Sequence, residues 1–428
     1  MIIALFSVSL LCGLLTLGIP MVVSIGFAVI INLMMNDVQI TTLPGLMNSG
    51  LSKFVFIALP MFVLMGSIMN AGGVSARLFN FAKALVGAMR GGLAQVNVLT
   101  SMFFGGMIGS STADLAGTGS IVIPAMKKEG YSGPVSAAVT ASSSGLGPLI
   151  PPSTPMILYS AVTGTSLGAL FLAGLVPGII FALLQMSLVS WLARRHGWAQ
   201  HGRFALREVG RTGLDALLPF CVPGVVVGGF ILGIFTPTES SVFAVAFALF
   251  LSVIVYRKLN LRSLYRVFAN AVQLTGELKM ITALSLTFGW ALANAGVPQA
   301  IVGGMELILG DDSQFMRLLL LVLLAIIAGM FLDPLIPVLI PIILPVLLFY
   351  QIDLTHFGVL MVICVVIGQM TPPMAIALVI TSKLANCDQI AVFRAAIPFI
   401  ILMILFLLLI MLVPSLATWL PSIAAQGR

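Results

Sequence analysis

The feature that most constrains the fold of this chain is an internal repeat with an offset of 221 residues. Its clearest trace is a double-proline motif, because Gly-Pro-Leu-Ile-Pro-Pro at 147–152 corresponds to Gly-Gln-Met-Thr-Pro-Pro at 368–373. The same offset relates Pro124 to Pro345, Pro177 to Pro398, and the apolar stretch 168–193 to 389–414. Since the agreement extends along the chain, the sequence predicts a duplicated architecture.

Both predicted halves contain the same order of elements. The first half covers 1–193 and the second covers 215–428, with a basic cytoplasmic linker at 194–214 between them. Each half begins with three apolar spans, continues with two shorter apolar pieces that meet at a polar break, and ends with an interrupted span and a long helix. The paired pieces and the interrupted spans are, in order, 94–127 and 134–165 in the first half and 315–349 and 357–384 in the second.

The length and apolarity of these segments place the chain in a membrane. Hydrophobic residues make up 60% of the chain and charged residues 8%, with a mean hydropathy of +1.17, whereas a soluble domain is about one quarter charged. A surface so poor in charge needs lipid as its solvent. The apolar segments are too long and too uniform for the alternating pattern of a transmembrane β-barrel, so we predict an all-α polytopic membrane protein.

The short paired pieces determine the predicted topology. A helix needs about 20 apolar residues to cross the bilayer, and each of these pieces is shorter than that. We therefore predict that each pair is a re-entrant hairpin whose tip stops inside the membrane. Each half then crosses an odd number of times, which gives about ten transmembrane helices plus two re-entrant hairpins. An odd number of crossings requires the second repeat to be inverted relative to the first.

The charged residues determine the predicted orientation. The net charge is +7, and most of the 20 Lys and Arg residues lie in short loops on one side of the predicted topology. An excess of Lys and Arg marks cytoplasmic loops, so we predict that both termini lie on the outer side of the membrane. The same distribution argues against a nucleic-acid partner, because it forms no continuous phosphate-binding face.

Four breaks in the apolar segments place polar chemistry at membrane depth. Irregular backbone is tolerated there only inside protein or beside a polar cavity. Proline lacks an N–H and disfavours helix at the preceding residue, so the motifs at 147–152 and 368–373 free carbonyl oxygens from helical hydrogen bonds. Together with Ser and Thr hydroxyl groups, such oxygens suit an alkali cation.

One acidic residue lies at each predicted hairpin tip, Asp114 in the first half and Asp333 in the second. A carboxylate in this position could complete a cation site, carry a proton, or cap the half-helix that follows. The run from Ser142 to Ser144 also has two interpretations, since its hydroxyl groups could contact a substrate or hydrogen-bond a neighbouring helix. Because both halves carry an acid-tipped hairpin and a later Pro-Pro break, the sequence favours a functional role for these positions.

The remaining reactive residues indicate neither an enzyme nor a resident metal centre. The 4 Cys and 3 His residues have no metal-ligand or disulfide spacing. The sequence also contains no metalloprotease motif and no Ser-Lys or paired-aspartate arrangement of known catalytic context.

The motifs around the breaks resemble those of a known membrane protein family. In the first half they are Ser-Ser-Thr-Ala-Asp-Leu, Ile-Pro-Ala-Met-Lys-Lys-Glu-Gly-Tyr, Gly-Pro-Leu-Ile-Pro-Pro-Ser and Leu-Phe-Leu-Ala-Gly-Leu-Val-Pro-Gly, all within 109–180. In the second half they are Phe-Thr-Pro-Thr-Glu-Ser from Phe235, Gly-Met-Phe-Leu-Asp-Pro from Gly329, and Gly-Gln-Met-Thr-Pro-Pro-Met from Gly368. Over nearly its whole length the chain resembles the large membrane subunit of tripartite ATP-independent periplasmic (TRAP) transporters, of the DctM or SiaM type.

This resemblance implies an elevator-type secondary transporter that is driven by sodium and takes up a small organic acid. It also implies two partners, a small DctQ/SiaQ-type membrane subunit and a periplasmic substrate-binding protein. Sialic acid, C4-dicarboxylates and other carboxylates all remain open as substrates. The alternative is a proton-coupled or passive organic-anion permease or channel, which we expect to show a continuous polar stripe in place of two capped hairpins.

The resemblance further implies two sodium sites at the four breaks. The first site would be formed by Ser110, Ser111, Asp114, Gly145, Gly147 and Pro151. The second site would be formed by Gly329, Asp333, Gly368, Thr371 and Pro372. The substrate carboxylate would meet half-helix N-termini and hydroxyl groups between the two tips, at Thr112, Ser143, Ser144, Ser153 and Pro373. Thr112 stands where the family commonly has a small apolar residue.

Overall fold

The computed structural model of the protein describes residues 2–198, 204–231, 233–309 and 314–426. These residues form helices joined by short turns, and no β-strand occurs among them. The all-helical prediction is therefore confirmed for the described residues.

The helices of the first half are separated by turns of a few residues. In chain order they are α1 (Ile2–Thr16), α2 (Met21–Met35), α3 (Leu43–Leu51), α4 (Ala58–Ala71), α5 (Val74–Val86), α6 (Gly92–Ile108), α7 (Ser111–Gly117), α8 (Gly119–Lys128), α9 (Gly133–Ser143), α10 (Leu146–Leu149), α11 (Thr154–Thr163) and α12 (Leu167–His196). Single 3₁₀ turns at Ile40–Thr42 and Phe54–Ile57 precede α3 and α4.

The second half contains fewer but longer helices. In chain order they are α13 (Leu206–Ile231), α14 (Pro237–Leu249), α15 (Leu261–Asn294), α16 (Val297–Leu309), α17 (Gln314–Gly329), α18 (Leu335–Phe349), α19 (Leu354–Met370), α20 (Ile376–Ala385), α21 (Gln389–Leu412) and α22 (Ser415–Gln426). A π-helical turn, Phe250–Val255, extends α14.

Several helices have the length and apolarity of a membrane span. Within the described residues there are 5 such segments, Phe54–Ala71, Leu167–His196, Leu206–Gly229, Pro237–Val255 and Gln389–Leu412. The pair α15 and α16, which is bent by 64°, would make a sixth. The other apolar helices have 10–17 residues. The total of about ten crossings stays a prediction, since spans this short are counted only once a bilayer position is known.

The predicted basic linker, 194–214, overlaps the end of one helix and the start of the next. Helix α12 continues to His196 and α13 already begins at Leu206, and residues 199–203 lie outside the described residues. The extension of α12 has a physical reason, because Arg194 and Arg195 occupy its last turn, where cations interact favourably with the helix dipole.

The core consists of one large hydrophobic cluster that includes residues of both halves and one smaller cluster. The smaller cluster is formed by buried side chains of α1, α2 and the middle of α15, together with Val338 of α18. The long helix α15 also packs against α3, α4 and α18. It therefore connects the first spans of the chain to the rest of the protein.

Close approach of α15 to α18 depends on a glycine. A Cβ atom built on Gly289 would overlap the side chain of Pro341 and lie 3.2 Å from its backbone carbon. Gly276, on the same helix, has no neighbouring atom within 4 Å of such a Cβ. Both glycines therefore lie in the same helix, but only Gly289 is packed closely against a neighbouring helix.

We predict that Gly289→Ala destabilises the protein by about 1–3 kcal/mol, because overpacking forces the two helices apart. Thermal unfolding of the detergent-purified chain measures the effect. Gly276→Ala is the matched control, and we expect it to be neutral or slightly stabilising, since Ala favours helix over Gly by up to ~1 kcal/mol. Equal melting temperatures for the two variants would contradict this packing.

Candidate functional site

The first helix break lies between α6 and α7. Helix α6 ends at Ile108 and is followed by the C-cap residue Gly109, whose φ of 65° is left-handed and favours glycine. Ser110 is extended, with φ −140° and ψ 126°, and its hydroxyl accepts a hydrogen bond from the Ala113 N–H as the N-cap of α7. The chain therefore makes a sharp reversal at 109–111, which we call the first tip.

The second break interrupts the predicted span 134–165. Helix α9 is followed by the single turn α10, and residues 150–153 are non-helical before α11 begins at Thr154. The Pro151–Pro152 peptide is cis. The Ser153 hydroxyl accepts from the Met156 N–H and donates to the Pro148 carbonyl oxygen. The break therefore falls at the double proline, as the sequence predicts.

The first tip packs directly against this second break. The Thr154 N–H donates to the Gly109 carbonyl oxygen at 3.0 Å. A Cβ built on Gly109 would overlap the Pro152 carbonyl group and lie 2.9 Å from the Ser153 Cα. A Cβ on Gly147 would lie 3.4 Å from the Ser110 carbonyl. The structure thus brings together the two segments assigned to the first sodium site, which are far apart in sequence.

Asp114 is fully buried inside this first junction. Its Oδ1 atom accepts a 2.6 Å hydrogen bond from the Thr118 hydroxyl, while its buried Oδ2 atom has no hydrogen-bond partner. The buried Ser111 hydroxyl also has no partner. Because Ser110 is the N-cap of α7 and Asp114 lies inside that helix, the interpretation of Asp114 as a helix cap is wrong.

A buried polar network extends from the carboxylate into the protein. Ser101 of α6 lies close enough to interact with Asp114, and its hydroxyl is 3.0 Å from the Ser143 hydroxyl. Ser143 in turn donates to Asn97 Oδ1 at 3.2 Å, and Asn97 Nδ2 donates to the Thr140 hydroxyl at 2.7 Å. These hydrogen bonds join α6 to α9 next to the helix that carries Asp114.

The second half forms a corresponding junction. Helix α17 ends at Gly329, and α18 begins after the cis Asp333–Pro334 peptide. Helix α19 ends at Met370, and Thr371 is extended, with φ −110° and ψ 131°. A Cβ built on Gly368 would overlap the Gly329 carbonyl group, so the hairpin and the interrupted helix touch through glycine.

Asp333 contacts the interrupted helix through an amide. Gln369 Nε2 donates to Asp333 Oδ2 at 3.3 Å and to Oδ1 at 3.5 Å. The Thr371 hydroxyl donates to the Ile367 carbonyl oxygen at 2.7 Å. The Met374 N–H donates to the Met330 carbonyl oxygen at 3.4 Å. The Pro334 position caps α18 without a side-chain hydrogen bond, so Asp333 is not a helix cap either.

The residues predicted to meet the substrate fall into two groups. Thr112 and Pro373 are exposed, and the Thr112 hydroxyl lies 3.1 Å from that of Ser110. Ser143, Ser144 and Ser153 are buried and hydrogen-bonded inside the protein, with Ser144 donating to the Ala141 carbonyl oxygen at 2.8 Å. The structure does not bring the three buried serines to a surface, and their contact with a substrate stays a prediction.

Sequence reasoning missed the side chains that surround the two carboxylates. Thr118, Ser101 and Asn97 lie within apolar helices, where nothing in the sequence distinguishes them from ordinary packing residues. Gln369 is different, because it lies inside the second double-proline motif and directly follows Gly368. Its position in the motif could have identified it as a site residue.

The donor groups available at the first junction are oxygen atoms. They are one carboxylate oxygen and one hydroxyl without partners, beside carbonyl groups released at a helix break. Such oxygen ligands suit hard ions. Among the described residues no group of three or more His, Cys, Asp and Glu side chains lies close together. The composition of the junction therefore differs from that of a transition-metal site.

The fold is similar to that of a solved transporter. The YdaH transporter of Alcanivorax borkumensis superposes with a TM-score of 0.59 at 14% sequence identity, covering 90% of this chain and 88% of that chain. This likeness concerns the fold alone, and together with the apolar helices long enough to cross a bilayer it defines the class of multi-pass membrane proteins.

The sequence places the chain within a particular family of that class. Residues 8–416 match the family model described as "Tripartite ATP-independent periplasmic transporter, DctM component". The chain is 33% identical over 414 residues to the sialic acid TRAP transporter large permease protein SiaM of Vibrio cholerae, covering 96% of each chain. It is 35% identical over 372 residues to the C4-dicarboxylate TRAP transporter large permease protein DctM of Pseudomonas aeruginosa, covering 86% of each.

The chain belongs to the DctM component family, the large permease subunits of TRAP transporters. The resemblance found in the sequence motifs is thereby confirmed. These relatives are transporter permeases rather than enzymes, which agrees with the prediction that the chain is not an enzyme.

We predict that Asn97→Leu destabilises the protein by roughly 1–3 kcal/mol, because it removes both partners that Asn97 offers to Thr140 and Ser143. Thermal unfolding in detergent measures the loss. Ser67→Ala is the control, since the Ser67 hydroxyl donates only to the Val63 carbonyl of its own helix. An Asn97 variant as stable as the control would show that the network contributes little.

Proposed function

We propose that this chain is the transport subunit of a sodium-coupled secondary uptake system for a small organic acid. The observation that carries the proposal is the pair of buried oxygen atoms without partners, Asp114 Oδ2 and Ser111 Oγ, beside a broken helix. Leaving a buried carboxylate oxygen unpaired is costly. A bound cation would remove that cost, and the free energy recovered would contribute to its binding affinity, less the cost of dehydrating the ion.

The first sodium site is supported by the contact of the first tip with the double-proline break. Ser110, Ser111 and Asp114 come from the hairpin, and Gly145, Gly147 and Pro151 come from the interrupted span. Because Thr154 and Gly109 already join the two segments by a hydrogen bond, a cation shared between them would hold both in one arrangement. The cation supplies positive charge, and the protein supplies the oxygen atoms.

The second sodium site is supported by the corresponding contact in the second half. Asp333 faces Gln369, and Gly329 touches Gly368 next to the extended Thr371. The hydrogen bonds from Gln369 are long, at 3.3 and 3.5 Å, so they leave the carboxylate only weakly paired. Pro372 adds a position without an N–H, which leaves the neighbouring carbonyl groups available.

The relatives and the exposed tips support the proposed substrate class. SiaM and DctM are named for sialic acid and C4-dicarboxylates, and both substrates carry a carboxylate group. The Thr112 hydroxyl is exposed at the first tip and lies 3.1 Å from the Ser110 hydroxyl, so it could donate to a carboxylate. An organic acid bound between the two tips would be attracted both by such hydroxyl groups and by the sodium ions.

The inverted repeat is supported by reciprocal packing between the halves. Helix α2 packs on α15 while α14 packs on α4, and α9 packs on α21 while α19 packs on α12. Helix α20 lies against α7 and α8, and α11 lies against α18. In each case a helix of one half packs on a helix of the other half, and the equivalent helices make the same contact with the halves interchanged. A two-fold axis between the repeats requires such paired contacts. An axis in the membrane plane makes the repeats inverted.

The same packing favours an elevator mechanism. The scaffold in this proposal consists of α1, α2, α4, α13, α14 and α15. The moving part consists of the two hairpins and the two interrupted spans, which contain all the proposed site residues. The small core of α1, α2 and α15, to which the moving part contributes only Val338 of α18 among the buried residues, supports a scaffold that stays fixed while the remaining bundle shifts.

Membership of the family supports the proposed partners and location. A tripartite system pairs this large subunit with a small membrane subunit of the DctQ/SiaQ type and with a periplasmic substrate-binding protein. We place the chain in a bacterial inner membrane, with both termini in the periplasm, because that orientation puts most Lys and Arg residues in the cytoplasm.

We predict that uptake of a labelled carboxylate requires an inward sodium gradient. Proteoliposomes containing the chain and its small membrane subunit are supplied with the periplasmic protein and substrate, under a sodium gradient, a proton gradient or neither. Uptake should exceed the gradient-free rate by on the order of tenfold with sodium alone, since coupling free energies correspond to about 5–150-fold. Uptake that follows the proton gradient, or needs no gradient, would favour the proton-coupled or passive permease.

We also predict that Asp114→Asn and Asp333→Asn each reduce sodium-dependent uptake by about 10–100-fold, because each removes the charge of a hydrogen-bonded carboxylate at the site. The same proteoliposome assay measures the change. The matched control is Asp388→Asn, since Asp388 caps α21 by accepting from the Ala391 N–H, a role that Asn also fulfils. Unchanged sodium dependence in both site variants would remove the two carboxylates from the mechanism.

A further inference from the structure

A polar cavity lies between α5 and α13, apart from the helix breaks. Its volume is about 430 Å³, within the range of ligand pockets. It is lined on the α5 side by Arg77, Asn80 and Lys83 and on the α13 side by Glu208, Arg211, Thr212 and Asp215. Charged residues are only 8% of the chain, so five of them around one cavity need a chemical explanation.

The cavity combines three basic side chains with two acidic ones. Arg77 is held in place by the Tyr256 ring, 3.5 Å from its guanidinium carbon, and by donation to the Gly73 carbonyl at 3.2 Å. None of the described hydrogen bonds joins a basic residue of the cavity to an acidic one. The lining therefore offers separate partners for an anionic group and for a cationic group.

The position of the cavity selects a lipid over a soluble ligand. It lies at the start of α13, and Leu206–Gly229 is long and apolar enough to span a membrane. Directly beyond the polar turns, α13 exposes Leu214 (72%) and Leu217 (57%), and the exposed stripe continues through Val225. A molecule whose polar end fills the cavity would place its apolar part along this stripe.

We propose that the cavity binds the headgroup of an aminophospholipid, with its acyl chains along the exposed face of α13. The phosphate is bound by Arg77, Lys83 and Arg211, since basic pockets between membrane helices favour lipid phosphates. The primary ammonium group donates hydrogen bonds to Glu208 and Asp215, which a trimethylammonium group lacks the N–H to do. The lipid joins α5 to α13, two helices that contact each other outside the proposed cation sites.

Native mass spectrometry of the detergent-purified full chain tests the proposal. Phosphatidylethanolamine, phosphatidylcholine and phosphatidylglycerol with identical acyl chains are added in turn, with soluble phosphoethanolamine as a further probe. We expect phosphatidylethanolamine to be retained best. In the double variant E208Q/D215N its advantage over phosphatidylcholine should disappear, because the ammonium group loses both acceptors while the phosphate contacts remain.

The basic side is tested by Lys83→Gln and Arg211→Gln, each of which should weaken lipid binding about fivefold, since one basic residue contributes ~1 kcal/mol. Arg207→Gln is the matched control, because Arg207 is exposed one turn away and does not line the cavity. Equal binding of the ethanolamine and choline lipids, stronger binding of phosphatidylglycerol, or equal binding of soluble phosphoethanolamine would each overturn the proposal. So would loss of the lipid when the small membrane subunit is bound.

Discussion

The structure depends on how the backbone polar groups at the helix breaks are enclosed. In lipid an unpaired N–H or C=O has no water to bond, so a helix can stop inside the bilayer only where protein surrounds it. Gly109 and Thr154 show how this is done, since the carbonyl of the hairpin tip accepts from the first N–H of the half-helix beyond the double proline. The same requirement that forces the tips against the interrupted spans also concentrates oxygen atoms at the two junctions.

Much of the fold could be predicted because proline and apolarity act locally. The double prolines end helices at Leu149 and Met370, as the missing N–H requires. The repeat offset of 221 also matches the structure at the start of the interrupted spans, where α9 begins at Gly133 and α19 at Leu354. The role of the two aspartates was left open by the sequence, and the structure excludes capping because the neighbouring residues occupy the cap positions.

The surroundings of the carboxylates could not be predicted, because they are formed by contacts between distant segments. Thr118 lies four residues from Asp114, but its hydroxyl also bonds its own helix backbone, as threonine often does in apolar helices. Asn97 and Thr140 lie 43 residues apart and meet only when α6 and α9 pack together. The α5–α13 cavity has the same origin, since its two walls come from opposite halves of the chain.

The exchange of partners between the halves has a consequence for how such a protein could arise. Helix α20 of the second half rests on α7 and α8, and Lys127 of α8 donates to the Ala385 carbonyl at the end of α20. One half on its own would leave these surfaces exposed. Under the inverted-repeat proposal, an unduplicated ancestor would therefore assemble as an antiparallel homodimer. Fusion of two copies would remove the need for a single sequence to insert in both orientations, and it would allow Asp114 and Asp333 to acquire different neighbours.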